Sequence, residues 1–369
     1  MRYFNYAGLS PTRPEVVNEM QAVSNEFRTR LFSQSGIAWY RTQVEMCRQR
    51  VAQLLHAHLG EGGDSLMFVP NATTAYSIAL SRLHLQRGDL VIISDQEHPA
   101  IGYALSRLRE RGIEVTVIPA DTEGRFLTRL DDVCQQGRAR LITLSHVAHT
   151  DGRLFPLKQV CEIAGRRQIM LGIDGAQAVG HVPVDLGTLA VDFYFFSGHK
   201  WCGGPMGTGA LLMTRRYKER HKHRESDPAA TGLAQEYFDL GTQNIGLIAG
   251  FAKACDLTQQ DLPAMAGLAR LRTLFREGLS RLPGVEIAEW DGLHAPGILS
   301  FRVKEAGFDA TRIAEHLNVK HDIAIKPMAY PESKPLLRVS WSLSTDAHEP
   351  EVLADKLKET LKFLSQQAS

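Results

Sequence analysis

Residues 191–205 read V-D-F-Y-F-F-S-G-H-K-W-C-G-G-P, and this stretch decides how the rest of the chain is interpreted. Its first half is apolar and aromatic, which is typical of a strand buried on both faces. The strand pattern stops at Ser197, and the glycines and proline of residues 203–205 predict a sharp turn. Lys200 lies between these signals, where lost hydration lowers the pKa of an amine and suits it to attack a carbonyl. A surface lysine after a core strand fits the same pattern, so this stretch alone leaves both interpretations open.

The overall composition limits the class of protein. The chain has 369 residues, a formal net charge of +1 and 44% hydrophobic residues, which is enough for a large domain and a smaller one. A near-neutral charge argues against nucleic acid or an anionic membrane as the main partner. We find no apolar run long enough to span a membrane and no apolar core of a secretory signal near Met1. Five scattered cysteines without a CxxC pair predict reduced thiols and a cytoplasmic location.

From residue 66 onward, short apolar segments alternate with amphipathic ones. Helical periodicity appears at residues 74–86, 100–111 and 157–167, each between two apolar segments. This alternation predicts an α/β domain with a mostly parallel sheet of about seven strands, flanked by helices. The seven predicted strands are residues 66–69, 90–94, 114–118, 140–145, 169–173, 191–196 and 207–213.

The two ends of the chain show other patterns. Helices are predicted at residues 15–30 and 40–59, with a loop at residues 32–39 between them. The C-terminal part is predicted to form helices at 251–260, 266–281, 309–318 and 349–364 and strands at 285–289, 297–303 and 336–342. We therefore expect a large domain over residues 15–250, and a small α+β domain formed by residues 1–14 and 251–369.

Polar side chains follow several of the predicted strands, at the edge where parallel-sheet enzymes place their sites. Thr73 and Thr74 come after the first strand, at the start of a helix. Their hydroxyls and the free N–H groups there would bind a phosphate, although a plain N-cap by either threonine fits as well. His98 follows the second strand and would stack on a planar ligand or move protons, although a lone histidine is often structural.

An acidic residue and two histidines follow the neighbouring strands. Asp174 ends the strand at residues 169–173, with Gln177 close behind it. A buried carboxylate needs a cation, such as a protonated pyridine nitrogen, unless it serves as an N-cap. His146 and His149 follow the strand at residues 140–145, but no third ligand converges with them, and we predict no metal site.

Taken together, these features describe one kind of ligand. A phosphate cradle, a ring-stacking histidine, a buried acid and a Ser-x-His-Lys sequence occur in order at successive strand ends. Pyridoxal 5′-phosphate needs an imine-forming lysine, an acid for its ring nitrogen and donors for its phosphate. The sequence therefore predicts a pyridoxal-phosphate site.

Five short motifs carry a resemblance to a known family. The most specific are D-G-A-Q at 174–177 and S-G-H-K at 197–200, and the supporting ones are N-A-T-T at 71–74, E-H at 97–98 and G-T-Q-N at 241–244. Over nearly its whole length the chain resembles the class V aminotransferase family of fold-type I pyridoxal-phosphate enzymes. That family includes cysteine desulfurases, cystine C–S lyases and isopenicillin N epimerase.

The resemblance implies a role for each motif residue. Lys200 forms the Schiff base with the cofactor, Asp174 pairs with its ring nitrogen, and His98 stacks on the ring; these three are the expected catalytic residues. Gln177 approaches the ring oxygen. The residues expected to bind the phosphate are Thr73, Thr74, Ser197, His199 and, from the neighbouring subunit, Thr242. A homodimer is therefore expected.

Four further residues are implied in substrate binding. Arg338, in L-L-R-V-S, matches the arginine that binds the α-carboxylate of an amino acid through its bidentate fork. Asn5 and Ala7 belong to F-N-Y-A-G, which resembles the N-terminal segment that folds over the substrate and looks closest to the cystine lyase branch. His149 lies where many family members have an asparagine near the ring oxygen.

Departures from the family pattern bear on the reaction. Desulfurases carry a loop cysteine shortly before the carboxylate-binding arginine, whereas residues 326–337 contain none, and the segment 221–237 is short. We therefore expect β-elimination of a C–S bond in a cysteine-derived amino acid. Transamination or epimerisation is the alternative; a desulfurase-like enzyme without the loop cysteine and a non-catalytic cofactor-binding protein also remain open.

Overall fold

The large domain is built on one twisted sheet. The computed structural model describes residues 1–30, 33–221, 242–304, 309–328 and 335–368. Within these residues, seven strands form a sheet in the order β2-β8-β7-β6-β5-β3-β4, and only β8 runs antiparallel to its neighbours. The strands are β2 (Ser65–Val69), β3 (Leu90–Ser94), β4 (Glu114–Ile118), β5 (Ala139–Ser145), β6 (Met170–Asp174), β7 (Phe193–Ser197) and β8 (Gly209–Met213). The predicted α/β fold with a mostly parallel sheet is confirmed.

The aromatic run in β7 shows why this sheet needs helices on both faces. Phe193 and Phe195 belong to the apolar cluster on one face, whereas Tyr194 and Phe196 belong to the cluster on the other. All four side chains are buried. Burial of each such side chain contributes about 1.5–3 kcal/mol to folding. The strand therefore fixes the position of Ser197 at its carboxyl end.

Helices cover the two faces of the sheet. Helices α3 (Ala72–Arg82) and α4 (Gly102–Glu110) pack on one face. The opposite face is covered by α2 (Gln34–Leu54), α5 (Glu123–Gln135), α6 (Leu157–Arg166) and α8 (Ile245–Asp261). Helix α1 (Pro14–Arg30) packs against α8, and α7 (Arg215–His221) follows β8.

The predicted loop at residues 32–39 is wrong for residues 34–39, which are helical. Helix α2 begins at Gln34 because Ser33 caps it: the Ser33 hydroxyl accepts a hydrogen bond from the Gly36 N–H at 2.9 Å. The residues that follow Ser33 show no apolar periodicity, so periodicity alone does not indicate this first turn.

The small domain combines both ends of the chain. Within the described residues its sheets have the orders β12-β13-β10-β9, which is antiparallel, and β1-β11, which is parallel. Its strands are β1 (Arg2–Tyr3), β9 (Val285–Ile287), β10 (Ile298–Val303), β11 (Ile323–Ala324), β12 (Lys326–Met328) and β13 (Leu336–Ser340). Its helices are α9 (Ala266–Ser280), α10 (Ala310–His321) and α11 (Glu349–Ala368).

One helix spans the predicted domain boundary at residue 250. Helix α8 continues without a break to Asp261, and its Phe251 and Cys255 are fully buried in the core of the large domain. We therefore propose that the small domain begins after Asp261. None of the helices in the described ranges combines the length and apolar character needed to cross a membrane.

Candidate active site

A cavity of about 290 Å³ lies at the carboxyl ends of the central strands and the start of α3. The pairing of Ser145 with Asp174 and of Asp174 with Phe195 places the ends of β5, β6 and β7 side by side. The predicted residues that line the cavity are Thr73, His98, His149, Asp174, Gln177, Ser197, His199 and Lys200. The structure thus brings together residues that are far apart in the sequence.

The start of α3 forms the end of the cavity that suits an anion. Asn71, and neither threonine, is the N-cap: its side-chain oxygen accepts the Thr74 N–H at 2.9 Å. The Ser197 hydroxyl accepts the Ala72 N–H at 3.0 Å, which ties this helix end to β7. Thr73 lines the cavity, but the Thr74 hydroxyl donates to Asn71 at 3.2 Å, and Thr74 is not among the described lining residues. A helix N-terminus with adjacent hydroxyls favours a phosphate.

Asp174 and Lys200 are the charged pair of the cavity. One Asp174 oxygen accepts the Ala176 N–H at 2.8 Å. Burial raises the pKa of Asp174, and the nearby charge of Lys200 opposes this shift. Burial lowers the pKa of the Lys200 amine, Asp174 opposes the change, and Arg338 adds to it. The side-chain amine of Lys200 forms no hydrogen bond or ion pair with the described residues, so it is available for chemistry.

Glycines shape the turn that presents Lys200. A Cβ at Gly198 would lie 2.5 Å from the Phe251 ring, so only glycine allows β7 to end this close to α8. Gly203 has a φ of 65°, a left-handed conformation that glycine adopts without strain. Gly198 and Gly203 are therefore required for steric and conformational reasons.

Two neutral histidines form one wall of the cavity. The rings of His98 and His149 lie 4.8 Å apart at an angle of 59°. Burial lowers the pKa of His98 to about 4, with help from nearby positive charges, and its Nδ1 accepts the Ala100 N–H at 3.1 Å. Burial also lowers the pKa of His149 well below its usual value. Both rings therefore stay uncharged near neutral pH.

Arg338 lies behind this wall and contacts the N-terminal segment. Its Nη1 donates to the His149 carbonyl at 2.7 Å, and its Nη2 donates to the Asn5 side-chain oxygen at 3.1 Å. Burial lowers the pKa of Arg338 to about 10, so the guanidinium keeps its charge near neutral pH. Arg338, Asn5 and Ala7 are not among the described lining residues, and they reach the cavity through His149 and Gln177.

Gln177 lines the cavity with its amide turned toward the N-terminal segment. Its Nε2 donates to the Ala7 carbonyl at 2.9 Å, and its Oε1 accepts the Trp201 indole N–H at 2.7 Å. One amide N–H remains for a ligand. The sequence did not assign a role to Trp201.

Glu97 is a second residue to which the sequence assigned no role. Its carboxylate accepts hydrogen bonds from the Ser94 hydroxyl at 2.6 Å and from the Ser145 hydroxyl and N–H at 2.8 and 3.1 Å. Burial raises the pKa of Glu97 to about 7. This residue joins the ends of β3 and β5 beneath His98, and the E-H motif was its only sequence signal.

Some predicted features lie outside the cavity or the described residues. Thr242 is exposed, beside Gln243, whose backbone pairs with the Tyr40 hydroxyl. Gly241, nearly all of segment 221–237 and residues 329–334 lie outside the described residues. Among the described residues, no cluster of histidine, cysteine and acidic side chains is arranged to hold a metal ion.

Comparison with known proteins agrees with this geometry. The sequence profile described as Aminotransferase class-V matches residues 2–327. This chain belongs to that family. A probable cysteine desulfurase of Methanothermobacter thermautotrophicus is 26% identical, over 97% of this chain and 94% of that protein. An isopenicillin N epimerase of Amycolatopsis lactamdurans is 28% identical, over 85% of this chain and 84% of that protein.

Solved structures share the fold of this class-V family member. The cystine C–S lyase C-DES, in complex with its product cysteine persulfide, has a TM-score of 0.81 and 22% identity, covering 97% of both chains. The apo cysteine desulfurase of Thermococcus onnurineus has a TM-score of 0.83 and 22% identity, covering 98% of this chain and 94% of that chain. A variant of C-DES carries glycine covalently linked to its PLP cofactor, with a TM-score of 0.79 and 22% identity over 97% of this chain and 96% of that chain.

The cofactor of the family is pyridoxal 5′-phosphate, and the described residues fit it. The buried Asp174 matches a protonated ring nitrogen, and the unpaired amine of Lys200 matches the aldehyde. The α3 N-terminus with Ser197 matches the phosphate, and the uncharged His98 provides a flat wall. This chain is an enzyme of the family that acts on a small molecule.

Proposed function

We propose that this enzyme cleaves the C–S bond of a cysteine-derived amino acid by β-elimination. The observation that carries the proposal is the position of the cysteines. All five are buried, and none is among the described residues that line the cavity. Burial raises the pKa of Cys47 and Cys134 to about 11, which keeps these thiols protonated and inert. A mechanism that transfers sulfur to a protein thiol therefore has no nucleophile among the described residues of the cavity.

Three residues would carry out the elimination. Arg338 binds the substrate carboxylate through its planar fork and orients the Cα–H bond toward Lys200. Lys200, with its lowered pKa, removes the Cα proton and retains it on Nζ. Asp174, held by the Ala176 N–H, would supply the negative charge that keeps the ring nitrogen of a bound cofactor protonated. Bound pyridoxal phosphate supplies an electron sink for the charge that develops at Cα. The Cβ–S bond then breaks, and the sulfur leaves with the bonding electrons.

The remaining residues control the surroundings of the reaction. The neutral His98 and His149 flank one side of the reaction without adding charge. The same residues would also serve transamination or epimerisation, and one relative is an epimerase. Since Lys200 and Asp174 both line the cavity and each shifts the pKa of the other, a purely cofactor-binding role is disfavoured.

Turnover of cystine tests this proposal. We expect pyruvate and ammonia in equal amounts, with the sulfur product in solution. Cys202→Ser should retain at least about half of the wild-type rate, since the Cys202 thiol faces the Val179 carbonyl, at 3.7 Å, and not the cavity. Cys134→Ser, in another buried thiol, is the matched control. Persulfide on Cys202, or loss of activity in Cys202→Ser alone, would point to a desulfurase. A new amino acid formed from alanine and a keto acid would point to a transaminase.

We also propose a homodimer in which Thr242 completes the phosphate site of the partner subunit. Its support is the G-T-Q-N motif and the exposure of Thr242, which does not line the cavity of its own chain. Thr242→Ala should weaken cofactor binding about tenfold, the effect of losing one hydrogen bond to a charged group. Thr42→Ala, at an exposed helical threonine, is the control. An active monomer, or unchanged cofactor affinity, would refute the shared site.

A cytoplasmic location is proposed from the five free thiols.

A further inference from the structure

We propose that Trp201 is a positioning residue, which fixes the N-terminal arm (residues 3–10) beside the active site by orienting the Gln177 amide. The arm contacts Arg338, the residue expected to bind the substrate carboxylate. The effect on substrate affinity rests on the function proposed above, whereas the effect on the arm does not.

The first step is the orientation of the amide. The Trp201 indole N–H donates to Gln177 Oε1 at 2.7 Å. An indole nitrogen is a donor only, so the amide oxygen must face it and the amide nitrogen must point the other way. That nitrogen donates to the Ala7 carbonyl at 2.9 Å. If the amide were reversed, its NH₂ group would face the Trp201 indole N–H, which is also a donor. Its oxygen would face the Ala7 carbonyl, which is also an acceptor.

The second step concerns the contacts that hold the Trp201 side chain in place. Its ring stacks on His181 at 3.6 Å between ring centroids and an angle of 12°. His181 accepts the Gly297 N–H at its Nε2, at 2.7 Å, so its Nδ1 carries the proton and donates to the Gln177 carbonyl at 3.0 Å. Gly297 is required here, because a Cβ would lie 2.8 Å from both rings. The small domain thereby holds His181, and His181 holds both Trp201 and Gln177.

The third step is the attachment of the arm to the two domains. On the side of the small domain, the Ala7 N–H donates to the Ser340 hydroxyl at 2.9 Å, and the Asn5 side chain accepts from Arg338. On the side of the large domain, the described hydrogen bonds of the arm are that from Gln177 to Ala7 and that between the Ser10 N–H and the His199 carbonyl at 3.0 Å, and Ala7 also packs in the apolar cluster of this domain. Loss of the Gln177 contact would remove a hydrogen bond between the large domain and the middle of the arm, two residues from Asn5, and the arm would move more easily. Arg338 would then be less well oriented for a carboxylate.

The test is Trp201→Phe, which removes the indole N–H and keeps an aromatic ring on His181. In the cofactor-loaded protein without substrate, we expect amide hydrogen exchange in the arm to become at least about tenfold faster. In turnover, KM should rise about tenfold and kcat should stay within about twofold, because the loss affects binding and not the proton transfer.

The matched control is Trp290→Phe. Trp290 is a buried tryptophan, whereas Trp201 is partly buried, and the Trp290 indole nitrogen has no hydrogen-bond partner among the described residues. This variant should leave arm exchange unchanged. A second variant, Gln177→Glu, keeps an acceptor for Trp201 but loses the amide donor to Ala7, so it should loosen the arm to the same extent. The double variant should add little to either single change.

Three outcomes would overturn the proposal. They are unchanged arm exchange in Trp201→Phe, the same acceleration in Trp290→Phe, and a fall in kcat with KM unchanged. If the wild-type enzyme turns over no cysteine-derived substrate, the proposed function fails, yet the exchange measurement still decides the role of Trp201.

Discussion

Replacement of Lys200 by alanine is expected to lower turnover by a factor on the order of 10³ or more, because one amine acts as both nucleophile and base. The Lys200 amine makes no hydrogen bond to the described residues, and burial lowers its pKa, so a larger fraction of it is neutral near pH 7 than for an exposed lysine. The wild-type protein with cofactor should be yellow. Borohydride reduction followed by peptide mapping should place the label on Lys200.

Lys320→Ala is the control for this experiment, since Lys320 is exposed on α10 in the small domain. It should keep wild-type activity, colour and label. Recovery of the label on Lys326 or Lys222 would contradict the assignment of Lys200, as would full turnover by Lys200→Ala.

The sheet was predictable because each buried strand is a short apolar run with polar or turn residues at its ends. The predicted bounds of β3 and β4 are those observed. β7 begins two residues later than predicted, at Phe193. The preceding Asp192 is fully buried, and its carboxylate accepts the Leu171 N–H at 2.8 Å. Such a contact across the sheet leaves no periodic signal in the sequence.

In the site, too, residues at strand ends were predictable, whereas contacts between distant segments were not. Asp174, His98 and Lys200 were predictable, because strand order and strand ends bring them to one edge of the sheet. The contacts of Gln177 with Ala7 and of Arg338 with Asn5 join residues 170 and 333 positions apart. The resemblance suggested that these residues share a site. It did not indicate that Trp201 would orient the Gln177 amide, because that depends on the packing of three separate segments.

Asp174→Asn is expected to lower turnover on the order of 100-fold or more while the fold is preserved. A neutral amide cannot hold a proton on the ring nitrogen, so the charge that develops at Cα is stabilised less well. The same substitution, which lowers activity, should not lower the stability of the cofactor-free protein against unfolding. Since burial raises the pKa of Asp174, the folded chain binds that proton more tightly than the unfolded chain does. This contribution to stability is present at low pH and is lost as the pH rises through the raised pKa.

The amide that replaces the carboxylate in Asp174→Asn is neutral at every pH. The variant therefore does not lose stability at this position as the pH rises. The unfolding midpoint of cofactor-free Asp174→Asn at pH 8 should therefore equal or exceed that of the wild-type protein, and the difference should shrink as the pH is lowered toward 4. Asp346→Asn, at an exposed carboxylate, should change neither turnover nor the pH dependence of unfolding. If Asp174→Asn retained nearly full turnover, the buried carboxylate would have some role other than holding the ring nitrogen protonated. A midpoint that fell at pH 8 would instead show that the charge of Asp174 stabilises the empty site, through Lys200, by more than its burial costs.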